Sequence, residues 1–347
     1  MDHLRHAATV DVVDAPQRYA VLLNARARGW TGEVHEAVQR FVPSRDLFLT
    51  DDFRQAETTV KKCLERDYDV IFTGGGDGTI VYLINAIESA IEQGLIDRAD
   101  APPVGVLRLG TGNAIATYVD ADPIVEDLQR IHAGAPLKIH HINLIDDGQD
   151  RFPFAGFGWD AHILNDYDRF KDKARGTVLE KPATGAAGYA MSVSSMTIPA
   201  ALLRGDRIVT FINRGPTALE LDEHGQVIDQ RGPGDILYRG RVKITSPATI
   251  PFWGFGIRMF PYCNLRPGFF ELRWYKGSIP RVLRDLPGFW RGRVEPTLLG
   301  DWLVSQVEVQ IDDEPMAYQV AGDAAGYRQG VTWSLAEHGA HLAVPLK

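Results

Sequence analysis

Apolar positions follow two different rhythms along this chain, and the change comes near residue 138. Before it, short apolar runs alternate with stretches of helical period. Residues 18–23 read as a buried strand. The loop Asn24-Ala25-Arg26-Ala27-Arg28-Gly29 follows, and Val34, Val38 and Phe41 then share one helical face. The pattern predicts a second strand over 46–50, a second helix over 53–66 and a third strand over 68–73. That strand enters the turn Gly74-Gly75-Gly76-Asp77-Gly78-Thr79. Beyond it, Ile80, Leu83, Ile84, Ile87 and Ile91 line one side of a helix. A further strand is expected over 103–107, ahead of Gly110-Thr111-Gly112-Asn113-Ala114-Ile115-Ala116. Asp122 and Pro123 then read as the N-cap and first turn of a helix with the stripe Ile124, Leu128 and Ile131, stopped at Gly134.

Strands and helices in alternation predict a parallel sheet with helices on its faces. After residue 138 helical stripes become rare, and short strands over 207–213, 241–246 and 269–275 dominate. Helices are expected there only near 185–197 and 280–286. The fold class is therefore an α/β N-terminal domain plus a second, mainly antiparallel β domain. The boundaries expected are 16–140 for the first, completed by 331–347, and 141–330 for the second, with a cleft between the two.

The two glycine turns carry the candidate chemistry. Glycine accepts positive φ and lets a ligand approach bare backbone. A helix that starts at such a turn offers amide N–H groups and the positive end of its dipole, which suits phosphate. A dinucleotide fingerprint would need glycine at Thr79, and a P-loop would need a lysine that this turn lacks. Asp77 adds a carboxylate able to hold Mg²⁺ or orient a phosphate. Thr111 and Asn113 can donate to phosphate or ribose oxygens. Ligands of parallel sheets sit at the carboxyl ends of the strands, where the Asn24 loop, Thr50 and Gly75-Gly76-Asp77 would all lie.

Composition narrows the partners. With 347 residues, 45% hydrophobic and 24% charged, the chain reads as an ordinary two-domain globular protein. A net charge of −8 without a basic tail argues against nucleic acid. Two cysteines give neither a disulfide framework nor a zinc cluster, and suit a reducing cytoplasm. His140-His141 and His338 with His341 lack partners at metal-ligand spacing. Residues 1–17 are polar, show no signal-peptide core and are expected to fray. The most apolar stretch, 188–203, falls short of the roughly 20 residues a membrane helix needs.

Gly75-Gly76-Asp77-Gly78-Thr79 followed by Gly110-Thr111-Gly112-Asn113-Ala114-Ile115-Ala116 resembles the diacylglycerol kinase catalytic family, which includes bacterial lipid kinases and sphingosine kinases and shares its first turn with NAD kinases. The Asn24 loop sits where that family has its Asn-Pro phosphate loop. Phe157-Gly158-Trp159-Asp160-Ala161 resembles its Gly-Phe-Asp-Ala segment, and Gly322-Asp323-Ala324 sits where it has Asp-Gly-Glu. The resemblance implies an ATP site on the first domain, with Asn24, Arg26, Thr50, Gly75, Gly76, Gly78, Thr79, Gly110, Thr111, Gly112 and Asn113 around the nucleotide. It implies Mg²⁺ near Asp77, Asp323 as the base, and a lipid substrate in the second domain near Asp160. Phe152, Phe154, Phe157, Trp159, Phe252, Trp253, Phe255 and Phe260 are candidates for an acyl groove there, against the plainer reading of ordinary core.

The sequence departs from the family at Tyr82, Ala114, Asn143 and Ala325, each standing where a carboxylate is common. Three readings stay open: an ATP-dependent kinase of a diacylglycerol- or sphingoid-type lipid, a degraded lipid- or nucleotide-binding protein of the same fold, and NAD kinase. Arg273, Lys276, Arg281, Arg284, Arg291 and Arg293, interleaved with Trp274, Tyr275, Phe289 and Trp290, form a candidate membrane-contact stretch at 273–293. The expected location is the cytoplasm, with peripheral contact at the inner membrane face. Oligomeric state is not read from the sequence, a homodimer being compatible with it.

Overall fold

The computed structural model describes residues 10–24, 27, 29–50, 53–162, 164–166, 207–278, 281, 284, 285, 288, 296–312 and 314–347. Arg26, the helix expected near 185–197, most of 280–286, and Phe289, Trp290, Arg291 and Arg293 lie outside them. The chain divides into two units.

Unit 1 takes Met1–Leu144, Ile250–Met259 and Ala336–Lys347. Its strands are β1 (Val10–Val13), β2 (Tyr19–Asn24), β3 (Leu47–Thr50), β4 (Val70–Gly75), β5 (Val104–Arg108), β6 (Leu137–Ile142) and β21 (Ala340–Pro345). They form one sheet in the order β1-β6-β21-β5-β4-β2-β3. From β21 to β3 neighbours run parallel, while β6 and β1 are added antiparallel at one side. The buried strands β2, β4 and β5 are continuous apolar runs, as parallel strands covered on both faces require.

The helices are α1 (Gly32–Phe41), α2 (Phe53–Glu65), α3 (Asp77–Glu92), α4 (Ala114–Tyr118) and α5 (Ile124–His132). Val34, Ala37 and Val38 of α1 meet Ile124, Leu128 and Ile131 of α5 over Val21, Leu23, Phe72 and Leu107 of the sheet. Thr31 caps α1, its hydroxyl accepting from Val34 N at 3.3 Å.

Two local expectations in this unit change. Residues 10–13 do not fray but form an edge strand, held by pairing Val10 with His140 and by His141 Nε2 donating to Asp11 at 2.7 Å. Its side chains are exposed, so burial left no apolar signal. Asp122 does not cap α5. The cap position is Pro123, and Asp127 reaches back to accept from Asp122 N at 3.1 Å. Arg130 Nη1 then ties Asp122 and Asp127 together at 2.6 and 3.0 Å.

Unit 2 takes Ile145–Thr249 and Phe260–Leu335. One sheet runs β13 (Ile236–Val242), β10 (Arg207–Asn213), β17 (Gln306–Ile311), β20 (Gly330–Leu335), β7 (Ile145–Asp146) and β8 (Arg151–Phe152). The other runs β12 (Val227–Arg231), β11 (Ala218–Leu221), β16 (Leu299–Val304), β15 (Phe270–Tyr275), β14 (Ile244–Ala248), β9 (Ala155–Gly158), β18 (Met316–Val320) and β19 (Asp323–Arg328). Every pairing is antiparallel.

The sequence put the return to unit 1 near residue 331. In the structure it comes at Ala336, because β20 pairs along its length with β17. Phe252, Trp253 and Phe255, expected in the second domain, lie in the segment Ile250–Met259 that joins unit 1.

The basic-aromatic stretch is also partly interior. β15 is buried throughout, and Arg273 is 5% exposed, Trp274 5% and Tyr275 0%. Arg273 forks onto Asp301 at 2.5 and 2.9 Å, and Glu271 beside it accepts from Tyr262 N at 2.6 Å. A central strand has no solvent face, so its charge is paired inside the protein rather than offered to a membrane.

Candidate active site

The site in unit 1 starts from two neighbouring parallel strands that stop together. β4 and β5 pair Gly74 with Leu107 and Gly75 with Arg108, so both glycine turns leave the sheet at one place on its carboxyl edge. The turns touch. A Cβ on Gly110 would lie 2.5 Å from the Gly75 carbonyl oxygen and 2.6 Å from the Gly76 Cα, so only glycine permits this approach. Gly29, at the end of the Asn24 loop, is held to the same place, its N–H donating to Leu109 O at 3.2 Å.

Asp77 locks the two turns together. It is the first residue of α3, yet its carboxylate accepts from Ala114 N at 2.9 Å and Ile115 N at 2.8 Å, the opening amides of α4. Only 8% of Asp77 is exposed. Burial pushes its carboxyl up to about 6, against the pull of the two amides. Asn113, at φ 52°, turns the chain into α4 and donates to Gly110 O at 2.7 Å. At α3 the cap is Gly76, and no side chain satisfies the helix end. That end is where an anion would find amide donors.

Other expected residues gather there in part. Asn24 ends β2 and pairs with Thr50 of β3. Thr50 is 6% exposed and its hydroxyl points to Leu23 O at 3.5 Å, which makes it a wall rather than a contact. Thr111 is exposed, and Gly76, Gly78, Thr79, Gly110, Gly112 and Asn113 are half-buried along the rim, Gly75 being buried. The residues present do not build a metal site of their own. Both Asp77 oxygens take amide protons, and among the described residues no group of three or more His, Cys, Asp or Glu could hold an ion. A Mg²⁺ here would depend on phosphate oxygens brought by a ligand.

Unit 2 holds a second cluster. Asp160 follows β9, and burial moves its carboxyl up to about 6. Gln319 of β18, 1% exposed, donates to Asp160 Oδ2 at 3.3 Å and accepts from Gly322 N at 2.8 Å. It thereby joins Asp160 to the β18–β19 hairpin that carries Asp323. Asp160 Oδ1 and Trp159 Nε1 are buried without hydrogen-bond partners. Ala321 at φ 48° and Gly322 at φ 83° form the turn, with Val320 paired to Asp323, so Asp323 is the first, exposed residue of β19. Two left-handed residues are where Asp-Gly is preferred. Matching the glycine of Asp-Gly-Glu to Gly322 would put its acid at Ala321 and its glutamate at Asp323, two positions before the Asp323 and Ala325 of the sequence reading.

Most of the proposed acyl-groove aromatics are core: Phe152, Phe154, Phe157 and Phe260 are at most 1% exposed. Phe255 differs. It is 67% exposed, adopts φ 52° between two left-handed glycines, and its N–H donates to Gly112 O at 2.8 Å. Sequence reading missed this placement, and it missed Gln319 and Arg108 as well. A polar residue inside an apolar strand was the available sign for Gln319. For Arg108 it was a base at the end of a buried strand that runs into a glycine turn.

Paired glycine turns at the carboxyl edge of a parallel sheet, with an uncapped helix beside them, are an arrangement suited to an anionic ligand. Residues 18–144 match the family model of the diacylglycerol kinase catalytic domain. Diacylglycerol kinase 2 of Arabidopsis thaliana is 20% identical over 196 residues, 50% of this chain and 27% of the relative. The diacylglycerol kinase of Staphylococcus saprophyticus is 30% identical over 111 residues, 29% of this chain and 34% of the relative. The chain thus aligns with about a third or less of these relatives' length. Two solved chains of a putative diacylglycerol kinase from Bacillus anthracis have a similar fold, each with TM-score 0.60 over 94% of this chain, one 14% identical with 96% of it covered and the other 15% identical with 97% covered. No helix among the described residues is long and apolar enough to cross a membrane.

Proposed function

We propose that the chain is a lipid kinase, transferring the γ-phosphate of ATP to a hydroxyl of a diacylglycerol- or sphingoid-type lipid. The observation that carries this reading is the clamp by Asp77, which fixes the two glycine turns as one phosphate cradle beside the uncapped start of α3. Phosphoryl transfer asks mainly for such positioning and for charge neutralisation. The acceptor hydroxyl must also lose a proton. Asp323 is the base in this reading, and Asp160, ionised above pH about 6, lies behind the same hairpin through Gln319. Mg²⁺ would accompany the nucleotide phosphates.

A specific observation favours a second reading, a binding protein with a degraded catalytic network. The hairpin turn offers Ala321 where Asp-Gly geometry would hold an acid. Peripheral attachment to the inner membrane face suits a lipid acceptor, through the part of 273–293 beyond the buried strand. Incubation with labelled ATP and a panel of lipids and NAD separates the readings. Labelled lipid that disappears in Asp77→Asn supports the kinase, labelled NAD supports an NAD kinase, and nucleotide binding without transfer supports the degraded protein.

A further inference from the structure

The two glycine turns offer backbone amides but little positive charge. Across both turns, residues 73–79 and 107–115, the one basic side chain is Arg108. A triphosphate carries about four negative charges, and Asp77 adds another when ionised, so amide dipoles alone leave the ligand poorly neutralised. Arg108 stands in register with Gly75 on the neighbouring strand. Residues in register across parallel strands share a sheet face. The face is known for Gly75: a Cβ there would run into Thr79, in the first turn of α3. Arg108 therefore rises from the sheet on the side where α3 begins. It is exposed, whereas Leu107 and Leu109 on either side are 1% and 2% exposed. Among the described residues no carboxylate forms an ion pair with it, as is also true of Arg18, Arg40, Arg66, Arg241, Arg258 and Arg266.

We propose that Arg108 is a nucleotide-binding residue, its guanidinium gripping the phosphate chain that the two glycine turns cradle. The inference rests on the nucleotide reading above, which already counts Arg26, and adds to it a cation from the two turns themselves. An arginine suits the place because its planar fork meets phosphate oxygens two at a time.

The test uses the full chain and calorimetric titration with ADP, and with adenosine as the phosphate-free probe. Arg108→Gln is expected to weaken ADP ten- to a hundredfold and leave adenosine within twofold, with Arg108→Lys between. Raising salt is expected to weaken ADP binding to the wild type more steeply than to Arg108→Gln. Equal ADP affinity in wild type and Arg108→Gln would overturn the inference while leaving the nucleotide reading intact. A parallel fall for adenosine would overturn it too, by assigning Arg108 to structure. Absence of any ADP binding by the wild type would sink the inference and the nucleotide reading together.

Discussion

Replacing Asp77 by asparagine separates what this carboxylate does for folding from what it does for the site. Its carboxyl lies near 6 in the folded chain and at 3.8 when unperturbed, a gap of about two pKa units. At 1.36 kcal/mol per unit, keeping Asp77 ionised costs the folded state about 3 kcal/mol. The sign follows from linkage. A raised folded pKa means stability that is fully present below pH 3.8 and is lost as pH rises through about 6. Asp77→Asn resembles the protonated side chain in shape and charge. It keeps one oxygen for Ala114 or Ile115 and puts an amide group against the other N–H. The variant should therefore match the wild type near pH 4 and exceed it near pH 8, by up to about 3 kcal/mol, while nucleotide-dependent activity is lost. Urea denaturation at both pH values, read as the difference between the two proteins, measures this. Loss of more than about 1 kcal/mol at pH 8 would show that the two amide bonds outweigh burial, and the reasoning would be wrong.

Other perturbations probe other links. Gly110→Ala drives a methyl into the Gly75 carbonyl at 2.5 Å, so it should destabilise unit 1 by a few kcal/mol and weaken ADP binding, read by thermal melting and calorimetry. Arg273→Met leaves Asp301 and Glu271 buried together and should cost about 3–5 kcal/mol in urea unfolding, whereas the mutation would be nearly silent if β15 faced a membrane. Ala321→Asp places an αL-tolerant residue at φ 48°, but it buries a carboxylate at a position 2% exposed and should lower the melting temperature. If the chain lacks its base, the same change should raise lipid phosphorylation. Gln319→Leu removes the donor to Asp160 and should shift the acid limb of any pH–rate profile upward, with little change in KM for ATP.

Most of unit 1 was legible because its signals are local. An apolar run that stops at glycines and restarts at helical period fixes β4 and α3 wherever they occur. The run before Gly110 does the same for β5. What escaped depends on distant partners. β1 is made by pairing with β6, and its exposed valines carry no buried period. Asp122 has the identity of a cap, but Asp127 and Arg130 claim it from within the helix. Trp274 and Arg273 look like a surface pair in sequence, and Asp301, twenty-eight residues on, makes Arg273 interior. In the site, both glycine turns could be read, whereas the clamp by Asp77 on α4 could not. Nothing in the spacing says that a carboxylate opening one helix will cap another. Gln319 showed only as a polar residue inside an apolar strand, and its role could not be read because its two partners lie at Asp160 and Gly322.

The central claim is phosphoryl transfer from ATP to a lipid by the cradle that Asp77 clamps. Wild type and Asp77→Asn, each shown to be folded, are mixed with γ-labelled ATP, Mg²⁺ and vesicles carrying diacylglycerol, monoacylglycerol, sphingosine, ceramide or a bacterial lipid extract. The account predicts a labelled lipid with the wild type and at least a hundredfold less with the variant. Wild-type protein that binds ADP and labels none of these lipids, or labels one equally well after Asp77→Asn, would contradict it.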